Sequence, residues 1–119
     1  MLFRTKKLTP KISLVYGFRK EDDKHFCLIT TLQEKQEDTI AHGLLTKGEM
    51  SFFEFMDLWK YFKQTLKTKF LVCDVVPEHA RVYKLGLPVI SSYKSKTFNG
   101  LACEVLKIKI TGKLKNFHV

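Results

Sequence analysis

Between residues 11 and 18 apolar side chains fall at every second position, with Ile12, Leu14, Tyr16 and Phe18 on one side. That period of two, built from β-branched and aromatic residues, predicts a strand. The charged stretch 19–24 predicts a turn, and residues 25–32 its hairpin partner. A second polar turn over 33–38 leads into a third strand over 39–45, so a meander of antiparallel strands is expected. The period then changes. From Ser51 to Lys67, the residues Phe52, Phe55, Met56, Trp59, Phe62 and Leu66 recur at helical spacing, which predicts an amphipathic helix. Ser51 and Glu54 have the spacing of a capping box, in which each side chain satisfies an orphan amide at the helix start.

Residues 70–76 form a near-continuous apolar run, as expected of a strand buried on both faces. Asp74 interrupts it, and a carboxylate buried there needs a partner or a raised pKa. Pro77 suits the first position of a short helix over 78–85, which Gly86 ends. Residues 88–93 and 101–110 predict two further strands joined by a long hairpin tip. The order is β-β-β-α-β-α-β-β. Helices between strands demand crossovers and hairpins demand antiparallel pairing, so the fold class is α+β with a mixed, mostly antiparallel sheet. Residues 1–119 are read as a single domain, with 1–10 and 111–119 as flexible ends.

Composition changes this picture little: 45% hydrophobic and 13% aromatic residues suffice for a packed core. Charge changes it more. The formal net charge is +9, and residues 81–119 carry eight Lys or Arg against the single acid Glu104. No apolar run approaches the roughly 20 residues of a spanning helix, and no signal peptide is readable. The three cysteines (Cys27, Cys73 and Cys103) each lie in an apolar stretch, which predicts buried free thiols and a cytoplasmic protein. Cys27 with His25 has no matching second pair, so no metal site is expected. Nucleophile-elbow, Walker and dinucleotide motifs are absent, which removes those enzyme classes.

The element order, together with Ala80, Tyr83, Lys84, Leu85 and Gly86 in the second helix, resembles the Gcn5-related N-acetyltransferase (GNAT) superfamily. The resemblance implies transfer of an acetyl group from acetyl-CoA to an amine on a small molecule or protein. It implies cofactor contacts along the segment before the long helix, at Leu45, Lys47, Gly48, Met50 and Ser51. It also implies a tyrosine near the thioester sulfur, here Tyr83. In that family the pyrophosphate loop is glycine-rich; here the matching segment holds Gly48 as its one glycine and carries Glu49 at its centre.

The residues themselves leave alternatives open. Tyr83 is either an ordinary amphipathic-helix residue or an acid for a departing thiolate. His79, four residues earlier on the same helix face, is either a surface histidine or a second group in the same cleft. His42, in an apolar strand, suits a half-buried histidine hydrogen-bonded nearby. The chain is an acyltransferase, a degenerate relative of one, or a small basic binding module. In the last case Lys94, Lys96, Lys107 and Lys109 would meet nucleic acid phosphates, with Tyr93, Phe98 and Phe117 interleaved for stacking.

Overall fold

A computed structural model describes residues 1–110 apart from Asp23, Glu49 and Phe98. The readings that fall on Glu49, Phe98 and the tail with Lys113, Lys115 and Phe117 lie outside the described residues. The elements are β1 (Leu2–Lys7), β2 (Ile12–Phe18), β3 (Leu28–Lys35), β4 (Asp38–Thr46), α1 (Phe52–Thr65), β5 (Phe70–Val75), α2 (Pro77–Gly86), β6 (Val89–Lys96) and β7 (Ala102–Lys109). They build one seven-stranded sheet in the order β1-β2-β3-β4-β5-β7-β6. All neighbours are antiparallel except β4 and β5, which run parallel.

β1 is the element absent from the periodicity. Its sequence is short and dominated by Arg4, Lys6 and Lys7, and the backbone ladder to β2 ties it down together with a few side chains. Phe3 stacks on Tyr61 of α1 at 4.9 Å between ring centroids, and Thr5 and Tyr61 join their hydroxyls. Residues 2–7 are therefore an edge strand and not a flexible end. Gly86 is the last residue of α2, and Leu87 caps it by donating its N–H to the Tyr83 carbonyl at 2.8 Å.

The core lies on one face of the sheet, where Val15, Leu28, Leu32, Leu71, Leu106 and Ile108 meet Leu58, Trp59 and Phe62 of α1. α2 packs on the same face: Ala80 is fully buried, Tyr83 and Leu87 border the core, and Lys84 pairs with Glu104 of β7. Val15 and Gly17 are thus the buried residues of β2, and Ile12, Leu14, Tyr16 and Phe18 lie on the opposite, half-exposed face. The strand is where the alternation places it, with the bulkier side turned away from the helices. Among the described residues no helix covers that side. Its rings find local partners instead: Tyr16 leans on Phe26 at 5.3 Å, and the Arg4 guanidinium sits over Phe18.

Candidate functional site

β4 pairs with β5 only from Asp38 to Ala41, against Phe70 to Cys73. Beyond Ala41 the two strands diverge, and a bulge in β4 marks the point. Thr30 of β3 faces Leu44, Thr31 faces His42, and Gly43 is the extra residue between them. Gly43 has φ 75°, a conformation that glycine adopts without the cost a Cβ would impose. Thr30 Oγ1 donates to the Gly43 carbonyl at 2.5 Å, holding the bulge in place. An isolated glycine inside a strand pattern is the signal that would have located it.

The divergence opens a cleft of about 680 Å³ on the helix-bearing face. Its inner wall is apolar, with Met56, Leu58, Trp59 and Phe62 from α1 and Leu71 and Ile108 from the sheet. Polar groups gather near α2, where His79 and Tyr83 line the cleft. The Tyr83 ring meets Phe55 edge-on at 6.2 Å and His79 at 6.3 Å, so two candidate groups do share one cleft. Burial, reinforced by the neighbouring Cys73, pushes the Tyr83 phenol above its ordinary pKa, which keeps its O–H protonated at neutral pH. The half-buried Cys73 thiol is itself pushed up to about 12 by burial and by Asp74, which disfavours the thiolate that a nucleophile needs.

The segment preceding α1 divides its expected contacts. Gly48 and Met50 line the cleft, whereas the Leu45 side chain is 72% exposed and does not. Lys47 is exposed; its N–H donates to the Cys27 carbonyl at 2.7 Å and its carbonyl accepts from Arg19 at 3.3 Å. Gly48, with φ 77°, turns the chain. Ser51 caps α1 in a complete capping box: Glu54 N–H donates to Ser51 Oγ at 3.2 Å, and Ser51 N–H donates to Glu54 Oε1 at 3.0 Å. Arg19 neutralises the Glu54 carboxylate at 2.9 Å. The Ser51 hydrogen bond and Arg19 together hold that carboxyl below its usual range. The helix start thus satisfies two of its own amides internally and borrows its anion from Glu54.

Other sequence readings are relocated. Asp74 is exposed and is not a buried anchor, because it alternates with Cys73 and Val75 and so points to the sheet face away from the helices. His42 Nε2 and Gln33 Oε1 are 2.8 Å apart on the sheet face away from the helices. The basic residues do not form one surface. Register places Lys94 and Lys96 on the face of Glu104, and Lys107 and Lys109 on the other. Lys107 lies 3.5 Å from the Asp38 carboxylate and over the Phe70 ring at 4.5 Å, so internal partners engage it. Among the described residues no group of three potential ligands could hold a metal, and no helix is long and apolar enough to cross a membrane.

No family model and no curated protein matches the chain. Solved structures do resemble it. FeeM, an N-acyl amino acid synthase from uncultured soil microbes, is 12% identical with a TM-score of 0.62, over 86% of this chain and 74% of that one. An N-acetyltransferase from Staphylococcus aureus Mu50 is 14% identical with a TM-score of 0.59, over 85% of this chain and 69% of that one. The fold is GNAT-like, with the mixed sheet and the two helices that the resemblance implies.

Proposed function

We propose that this GNAT-like chain is an N-acyltransferase, moving an acyl group from a thioester such as acetyl-CoA to an amine. The observation that carries the reading is Tyr83 beside His79 in a cleft opened by the divergence of β4 and β5. Both similar structures are of enzymes named for acyl transfer, which supports the reaction class without specifying donor or acceptor.

The residues present fit a thioester arm better than a pyrophosphate. Among the described residues no strand pairs with β4 past Ala41 on its β5 side, so its backbone can pair with the amides of an extended pantetheine. Gly48 and Met50 would flank that arm, and Lys47 would meet a phosphate near the cleft mouth. Ser51 is occupied with capping α1 and is left to that task. An acyl thioester, when bound, supplies an activated carbonyl carbon and a thiolate leaving group. The chain supplies position and proton transfer. The amine nitrogen attacks the carbonyl carbon, a C–N bond forms, and the C–S bond breaks. Tyr83 O–H gives its proton to the departing sulfur. His79, exposed beside Tyr83, takes the proton that the nitrogen loses, directly or through water. Burial and Asp74 disfavour the Cys73 thiolate, which supports direct transfer over an acyl-enzyme on that thiol. Most of the rate then comes from holding amine and thioester together.

Thermal-shift and calorimetric titration with CoA and acetyl-CoA test the reading. Stabilisation by both, with release of free thiol when an amine is added, is expected. No stabilisation at millimolar ligand would overturn it.

A further inference from the structure

We propose that a second copy of this chain covers the helix-free face of the sheet, so that the protein is a face-to-face dimer. The dimer is independent of the acyl-transfer reading above.

A sheet with helices on one side usually shows a polar surface on the other, or buries it under a further layer. Here α1 and α2 lie on one face, and among the described residues no helix lies on the other. Register puts Ile12, Gln33, Ile40 and Val72 in one row of that bare face, from β2 to β5, with Leu14 and Tyr16 beside it. All six are half-buried and none is charged, so apolar surface is left facing water. Polar groups among them already have partners within the face. His42 Nε2 and Gln33 Oε1 are 2.8 Å apart, and Lys107 lies 3.5 Å from the Asp38 carboxylate. A cover would therefore leave these groups hydrogen-bonded or paired. The edges of the sheet are treated differently. Lys6 and Lys7 guard β1, while Lys94, Lys96 and the irregularity between Val89 and Ser91 guard β6 against further strand pairing.

The area suits a second copy. Seven strands of six to nine residues make a face of roughly 30 by 25 Å at ordinary strand spacing and rise. That is close to the roughly 800 Å² that each partner gives to a standard interface. Stacked sheets keep their strands nearly aligned, and two identical faces meet about a two-fold axis. An axis parallel to the strands lays β1 of one copy over β6 of the other. Arg4 and Lys6, on the β1 margin of the face, then approach the half of the other sheet that holds Asp74 and the exposed Tyr93. An axis across the strands would stack β1 on β1 and set these cations against their own copies. Charge thus selects the first arrangement, in which each copy brings the countercharge that the other needs.

Sedimentation equilibrium and light scattering on the intact protein test this, from about 1 to 500 µM in about 0.3 M salt to screen the net charge. A species of twice the chain mass is expected at the upper concentrations, with a melting temperature that rises with protein concentration. Leu14→Lys and Thr31→Lys each place a charge near the centre of the face, twice per dimer. Either, in a variant that keeps a cooperative melting curve, should weaken association at least about a hundredfold. Leu85→Lys adds the same charge to an exposed position of α2, on the other side of the sheet, and should leave the dimer intact. A monomer at every concentration, with a constant melting temperature, would give the face to another occupant and overturn the proposal. So would a dimer that Thr31→Lys leaves unchanged, or one that Leu85→Lys abolishes.

Discussion

Thr30 Oγ1 donates to the Gly43 carbonyl at 2.5 Å, across a bulge that gives β4 one residue more than β3. That contact fixes where β4 parts from β5, and the cleft follows from it. An added Cβ at Gly43 meets nothing within 4 Å, so Gly43→Ala tests backbone strain without a clash. The left-handed conformation should cost about 1–2 kcal/mol, a melting-point drop of roughly 4 °C or more. Thr30→Val strips the donor from the bulge carbonyl and should cost about 1 kcal/mol. The two losses should not add, since both variants loosen one feature. Denaturant melts of the single and double variants check this, and simple additivity would show that the bulge is held otherwise.

Tyr83→Phe should lower turnover by about two orders of magnitude and leave the melting temperature nearly unchanged, because the ring keeps its edge contact with Phe55. The pH dependence carries the sharper signature. The raised pKa of Tyr83 places the loss of its proton above the ordinary tyrosine value of about 10. Its acid role is therefore intact across neutral pH and fails only in strong base. Stability linked to the buried phenol is likewise complete below the unfolded value. It is lost as pH rises through the folded one, because the unfolded chain ionises first. A rate that rises as pH passes 9 to 10, following ionised tyrosine, would contradict the assignment.

At the start of α1, Ser51→Ala should cost about 1 kcal/mol, since it removes one half of a complete capping box. Glu54 forms the other half, with its folded pKa depressed by the Ser51 hydrogen bond and Arg19. Its stabilisation is present above the unfolded value and is lost as pH falls through the folded one. Glu54→Gln should accordingly flatten the acid limb of the stability profile, leaving the neutral region changed by less than about 1 kcal/mol. Acid titrations of both proteins by circular dichroism decide it, and superimposable acid limbs would count against the capping role.

Cys73 lines the cleft and holds its proton to about 12, while Cys27 and Cys103 are buried. Native protein at pH 8 should therefore react with iodoacetamide far more slowly than after unfolding, and mass spectrometry should find no acylated cysteine during turnover. Rapid alkylation of Cys73 in the folded protein would reopen a covalent route.

The sequence by itself determined the elements whose physics is local. α1 is legible because a capping box and a helical stripe from Phe55 to Phe62 agree, and the meander because alternation and charged turns agree. Pro77 and the apolar run before it likewise mark α2 and β5. β1 escaped because its charges obscure the period and its order comes from Tyr61, fifty-six residues away from Thr5. Tertiary structure alone decided the rest. Periodicity places Ile12, Leu14, Tyr16 and Phe18 together, yet it does not say which face the helices cover; that depends on where α1 lands, and it lands on the face of Val15. The apolar run placed Asp74 in a buried strand, but register turns it to the sheet face away from the helices, where it is exposed. Charge counting grouped four lysines that register sends to opposite faces. Tyr83 and His79 were legible as residues, and their cleft was not. It lies where β4 leaves β5 past Ala41, beside the bulge at Gly43, under α1 and α2, a relation between elements that no local pattern encodes.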